Sequence, residues 1–443
     1  VLLNPAITTK NVMQTLNNCQ QTALTNLIRW FHGQNQVSIL QGKAGTGKTY
    51  LIDSFLTQLG NRVTPLLLAD TNEACKVLAK ATGNKYAVNT VCSALKLTLQ
   101  VAQSQLVLKQ TGTPTLEKYT LLIVDEASQL DDQKIDLLIA TGIYILFVGH
   151  KSQLPPIDNT QSVAAICDSP VFTRGFPTFN LESPVRNTGA ISTFCDKAEQ
   201  LIYTRGILAD EFRQDSKFMR EYLLANPDKV LRNEIVMLAF TNKEVDSLNE
   251  IARYAIFGKD YNQELFLEKD RIIFRSPTAI FGCPLYGAPN KLNNIFKVEN
   301  KTLTTNTRGT VKRVNSVELM GIGCYELFVE LDDVFDDILN GYVYVPLVAE
   351  EYGKLRAKYH RAALWEHNPV KAAKKWVEYH ELQFLLGDTK HSYALTVHCS
   401  QGSTIDTVFV HDNDIDKCLN MSLRKKLRYV AYSRAKTNLF RIK

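Results

Sequence analysis

The chain has 443 residues, 45% of them hydrophobic and 22% charged, with a formal net charge of +6. That leaves room for about three domains of ordinary size, and no apolar run reaches the roughly 20 residues that a membrane-spanning helix needs. The nine cysteines are odd in number and contain no C-x-x-C pair, which argues against a disulfide framework and against a structural zinc site. The opening VLLNPAITTK has neither the basic start nor the apolar core of a secretion signal, and without Met it is expected to be a truncation boundary; a cytoplasmic location is the default.

Apolar residues at helical spacing over residues 16–31 (Leu16, Ala23, Leu24, Leu27, Ile28, Phe31) predict a helix. Gln20, near its start, has an amide that both donates and accepts and could read an adenine edge. The short strand VSIL follows, and then GKAGTGKT at residues 42–49 matches the phosphate-loop pattern G-x-x-x-x-G-K-[ST] in full. Gly42, Gly45 and Gly47 let successive backbone N–H groups turn inward on a polyphosphate, while the helix opening at Lys48 aims its positive end there. Lys43, Ala44, Thr46 and Tyr50 complete the nucleotide-binding stretch. Lys48 would neutralise the β and γ phosphates, and Thr49 would hold magnesium through its hydroxyl. A nucleoside triphosphate with Mg2+ is therefore the cofactor expected from the loop.

Further strands are predicted at residues 64–69, 121–124 and 143–148, alternating with helices, and each ends in a polar motif. This is the pattern of a doubly wound parallel sheet, whose ligands sit beyond the carboxyl ends of its strands. Asp125 and Glu126 follow the apolar LLIV, where one carboxylate can hold a metal and the other can act on the attacking water. Residues 95–118 interrupt the alternation with a partly alternating run and a Thr-Gly-Thr-Pro turn, read as an inserted β-hairpin. A second α/β unit starts near Leu181, contains a strand at residues 235–240, breaks off, and resumes at Tyr393. It carries Arg186 and Arg434. An arginine supplied from a second domain can neutralise charge developing on a γ phosphate, which makes closure of the two domains depend on ATP. Between them, residues 276–390 read as short β runs followed by a helical stretch over 350–386, interrupted near Pro369. Its helices interleave Lys354, Arg356, Lys358, Arg361, Lys371, Lys374 and Lys375 with Trp365 and Trp376, a composition that serves equally for gripping DNA, bracing the hairpin or forming a packed pair with a solvated face.

Taken in order, NCQQTA, GKAGTGKT, TNEACKVL, NTVCSALKL, DEAS, SQLPPI, LESPVR, AFTNKEVDSLN, TVHCSQGSTID and YVAYSRAK resemble the superfamily 1B (5′-to-3′) DNA helicases, in particular the bacteriophage Dda group, over nearly the whole chain. The resemblance implies an α/β fold of two RecA-like parallel-sheet domains: the first over 1–94 and 119–180, with a hairpin pin at 95–118; the second over 181–275 and 391–443, with an SH3-like barrel and helical projection at 276–390. It gives Gln20 to adenine, Asp125 to the metal, Glu126 to water, and Gln153 to the γ phosphate, with Arg186 and Arg434 as arginine fingers. Single-stranded DNA would touch Thr71, Asn72, Thr90, Thr241, Asn242, Thr396, His398 and Ser403. The implied partners are single-stranded DNA and its junctions with duplex, with replication or single-strand-binding proteins as further candidates, for a monomer acting in the cytoplasm of a host. Two departures stand out. Where the family usually has Gly-Asp, this chain has Gly149 and His150, and the hairpin has no aromatic residue, Leu106 to Leu108 being its most apolar run. They keep open a translocase that strips proteins or acts on RNA, and an ATP-gated DNA clamp with weak turnover.

Overall fold

The computed structural model describes residues 16–443 except 44, 103–104, 157–167, 182–188, 286–291 and 336–337, and leaves aside the side chains at 72–73, 99–102, 105–107, 293–294, 333–335 and 338. A six-stranded parallel sheet orders its strands as Ala87–Thr90, Pro65–Ala69, Leu121–Val124, Tyr144–Gly149, Val37–Gly42 and Thr178–Leu181. The LLIV run shows why it forms. Successive side chains point to opposite faces of a strand, so Leu121 and Ile123 enter one buried cluster with Leu40, Leu67 and Val148, while Leu122 and Val124 enter another with Ile39, Leu68 and Phe147. A strand apolar on both faces must have helices on both faces. The first helix, Asn18–Phe31, starts two residues later than its apolar pattern because Asn17 and Gln20 cap it reciprocally.

The expected hairpin forms from Leu97–Ala102 and Gln105–Gln110, paired antiparallel from Leu97 with Gln110 to Ala102 with Gln105. Its connecting residues 103–104, and most of the 106–108 run, lie outside the described side chains. Helix Pro369–Leu385 lies against its first strand.

A second parallel sheet runs Ala394–Thr396, Ile235–Ala239, Ile405–His411, Ala435–Ile442 and Arg213–Gln214. Between its strands the chain inserts a curled antiparallel sheet of seven strands, the barrel-like element expected. It opens with Arg271–Phe274, ahead of Ser276, and closes with Thr389–His391. Where it curls, strands approach closely: a Cβ on Gly309 would stand 2.7 Å from the Glu330 carbonyl oxygen, and one on Gly341 2.8 Å from that of Phe281. One face of this sheet packs on the helical pair Ala349–Leu364 and Pro369–Leu385, through Phe281, Tyr344, Leu382 and Leu385. The two helix tryptophans part company. Trp376 is buried edge-on against His360 and Tyr379, whereas Trp365 is 69% exposed. Among the described residues, no helix is long and apolar enough to cross a membrane.

Candidate active site

The phosphate loop joins Val37–Gly42 to the helix Lys48–Leu59. Gly45 and Gly47 sit at φ of 78° and 80°, a region closed to most side chains, and a Cβ on Gly42 would stand 2.6 Å from Thr46 Oγ1. Lys48 Nζ curls back over the loop and donates to the carbonyls of Gly42 and Lys43 at 2.8 and 3.0 Å. Thr46 is buried and donates to the Lys43 carbonyl. Thr49 and Tyr50 lie in the first helical turn; Ala44 lies outside the described residues. Gln20 is buried beside the loop: its amide nitrogen donates to the Thr46 carbonyl at 3.2 Å and its oxygen accepts from Asn17 N–H. The amide thus braces the loop from behind.

Asp125 and Glu126 emerge from Leu121–Val124 toward this loop. Burial, reinforced by the neighbouring Glu126 charge, raises the Asp125 carboxyl to about 6 against the pull of Lys48 and the Glu126 N–H. A carboxylate so placed gains from a cation. Among the described residues no cluster of three or more metal-ligating side chains exists. Magnesium is commonly held by one or two carboxylates together with substrate phosphates. Asp125 and the Thr49 hydroxyl are the groups of this chain that would hold it. Glu126 adopts φ of 50°, rare for a side chain of its size and worth about 1–3 kcal/mol of strain. The turn aims its carboxylate at Gln153, whose amide nitrogen donates to Glu126 Oε2.

From Gln153 a chain of hydrogen bonds reaches the second parallel sheet. Gln153 Oε1 accepts from His150 N–H at 2.8 Å and from Ser128 Oγ at 3.5 Å, and Ser128 Oγ accepts from Gln401 Nε2 at 3.3 Å. Gln401 and Gly402 belong to the loop after Ala394–Thr396, and a Cβ on Gly402 would come within 4.0 Å of Glu126 Oε1. Arg434, 5% exposed, donates to the carbonyls of Ser403 and Val430. Burial lowers its pKa, and the Glu126 charge opposes that shift. Arg186 lies outside the described residues.

The residues expected along DNA all lie at or just beyond carboxyl ends of parallel strands. Thr71, Thr90 and Thr241 cap helices, accepting from the N–H groups of Ala74, Ser93 and Glu244. Asn72 and Asn242 open two of those helices, and Arg275 donates to Asn242 Oδ1 at 2.9 Å. Thr396 accepts from Cys399 N–H, and Ser403 donates to the Ser400 carbonyl. Burial lowers the His398 pKa to about 4. Sequence reasoning missed Arg275 and Arg308, which no short motif marks; Arg308 donates to the Cys399 carbonyl. It also missed Gln401, which lies inside the TVHCSQGSTID motif with no role given to it there.

Two facing parallel sheets, with the phosphate loop and acidic pair on one and an arginine and glutamine on the other, define a two-domain phosphate-loop nucleotide-binding protein. Residues 15–194 match the family described as an AAA domain, and residues 391–440 that of the UvrD-like helicase C-terminal domain. The ATP-dependent DNA helicase dda of Enterobacteria phage T4 is 25% identical, over 96% of this chain and 98% of its own. An uncharacterised protein of Acanthamoeba polyphaga mimivirus is 22% identical over 95% and 99%. A solved structure titled for DNA unwinding at forked duplex by two coordinating Pif1 helicases shares the fold, with a TM-score of 0.52 at 16% identity over 97% of this chain and 92% of that one. With the ordered motifs, these likenesses support a superfamily 1B helicase, and its two parallel-sheet domains are RecA-like.

Proposed function

We propose that the chain is an ATP-dependent DNA helicase that moves 5′-to-3′ along single-stranded DNA and separates duplex, hydrolysing magnesium-ATP between its two RecA-like domains. The observation that carries this reading is the hydrogen-bond chain Gln401, Ser128, Gln153, Glu126, because it ties the hydrolytic carboxylate to a loop of the other domain. Bound magnesium-ATP supplies the polarised γ phosphoryl group. The rest falls to side chains. Lys48 and the loop N–H groups position the phosphates, Glu126 Oε2 stands ready to take a proton from water, and Gln153 keeps that oxygen aimed. Arg434 and Arg186 are assigned to the charge that develops as the bond breaks. Domain separation then follows loss of that charge, and a strand held on both sheets moves with them.

Single-stranded DNA is assigned to the strand ends at Thr71, Thr90 and Thr241, where main-chain groups and short polar side chains can meet a backbone without reading bases. The small size of the first-domain insert supports 5′-to-3′ movement. The lack of an aromatic in the hairpin favours, as a second reading, a translocase that moves without separating strands. Steady-state ATP turnover with and without oligo(dT) tests the motor itself: turnover that rises with DNA and disappears in Glu126→Gln supports it, and turnover indifferent to DNA rejects it.

A further inference from the structure

One cluster of charged groups spans the two domains away from the acidic pair. Glu199, on the helix Ala190–Tyr203 of the second domain, is buried yet meets three groups of the first. Its Oε2 lies 2.6 Å from Lys43 Nζ, in the phosphate loop itself. Its Oε1 accepts from Ser152 Oγ at 2.8 Å and stands 3.4 Å from His150 Nε2. Asp196 pairs with the same lysine at 2.7 Å, and Tyr203 shares the Ser152 hydroxyl at 3.1 Å. Positions 196, 199 and 203 fall on one helical face, so the contact is made by a face and not by one stray side chain.

The histidine joins as a neutral donor. Burial, with the charges of Lys48, Lys43, Lys151 and Lys426, lowers its pKa to about 3. Its Nδ1 accepts from Ser152 N–H at 3.3 Å, so the ring proton belongs on Nε2, toward Glu199. The segment that Glu199 grips, His150 to Ser152, is the one that delivers Gln153 to Glu126.

We propose that Glu199, seconded by Asp196, is the positioning residue through which the second domain sets the geometry of hydrolysis: one carboxylate holds the phosphate loop by Lys43 and, by Ser152 and His150, the segment that aims Gln153. Its contacts are with Lys43, Ser152 and His150, and it acts through them. This inference rests on the reading of the chain as a DNA-stimulated ATPase and adds the element that connects its domains. Removing the carboxylate loosens both sides of the cleft together, so the rate of the chemical step suffers more than nucleotide affinity.

The test uses the full chain and four variants: E199Q, E199A, K43A and K43A/E199A. ATP turnover is measured with and without saturating oligo(dT), alongside thermal unfolding. In E199A the DNA-stimulated kcat is expected to fall about tenfold or more while KM for ATP changes less than about threefold. E199Q keeps an acceptor for Ser152 but leaves Lys43 without that charge, and should fall between wild type and E199A. The double variant should be about as impaired as the worse single one, because both remove the same contact. Wild-type kcat in both Glu199 variants would overturn the proposal, as would multiplicative losses in K43A/E199A. So would kcat and KM changing in parallel with a lowered melting temperature, the mark of mere structural glue. A wild-type protein that DNA fails to stimulate would instead sink the functional reading on which the proposal rests.

Discussion

The two parallel sheets are alike at one edge and unlike at the other. In the first, Ala87–Thr90 lies beside Pro65–Ala69 with Ala69 opposite Thr90, and Thr71 caps the next helix. In the second, Ala394–Thr396 lies beside Ile235–Ala239 with Ala239 opposite Thr396, and Thr241 caps the next helix. Matching edges fit the same ligand met twice, as a DNA backbone gripped by two domains would be. The remaining strands differ. Those of the first sheet deliver the phosphate loop, Asp125 and Glu126, while the second sheet's loops deliver Gln401 and Arg434. Under the proposed function, repetition would serve translocation and asymmetry would build one shared hydrolytic site.

The asymmetric part should break hardest. Glu126→Gln removes the proton acceptor and is expected to lower ATP turnover by about 10²–10⁴-fold, with affinity for oligo(dT) by fluorescence anisotropy little changed. Arg434→Lys keeps a charge but loses the planar fork that also holds the Ser403 carbonyl. A loss of about 10²-fold or more in kcat is expected. A full-rate Arg434→Lys enzyme would mean that the second domain contributes no arginine from this position.

The repeated part can be compared by like substitutions. Thr71→Ala and Thr241→Ala each remove a cap, worth about 1 kcal/mol, and each should weaken oligo(dT) binding. Thr241 carries more: its hydroxyl also donates to Asp414 Oδ1 at 2.9 Å, whose other oxygen accepts from the N–H groups of Phe240 and Thr241. Urea unfolding should therefore show the larger loss for Thr241→Ala, and equal losses would remove that distinction between the edges.

The smallest effect concerns protons. His150 and His398 have pKa values lowered to about 3 and about 4, largely by burial. Below the unfolded value near ~6.5 the unfolded chain takes up protons that the folded chain refuses. Their contribution is fully present above pH ~6.5 and is lost as pH falls toward the folded values, with a slope of at most ~1.4 kcal/mol per pH unit for each group. His398→Asn should flatten the fall in stability between pH 6.5 and 5, read from urea unfolding at stepped pH near the ~6.5 reference.

Much of this was legible in the chain. The phosphate loop and LLIV followed by Asp125 and Glu126 could be read because a parallel strand buried on both faces writes itself as a continuous apolar run. The helical pair announced its break at Pro369, capped by Asn368. Contacts between distant segments were not legible. Lys43 and Asp196 are 153 residues apart, and neither spacing nor composition links a phosphate-loop lysine to a helix in another domain. Nor could periodicity say which tryptophan of the helical pair would be buried, since that depends on which flank meets the curled sheet. The chemistry of Gln20 suggested a purine contact, while its packing against Thr46 needed the fold.

The central claim, two domains that turn one hydrolytic cycle into directed movement along DNA, is tested most directly by strand displacement from duplexes carrying a 5′ or a 3′ single-stranded tail, with ATP turnover followed in parallel. The account predicts ATP-dependent displacement from the 5′-tailed duplex, little from the 3′-tailed one, and none with Glu126→Gln. Displacement confined to the 3′-tailed duplex, or equal without ATP, would contradict it.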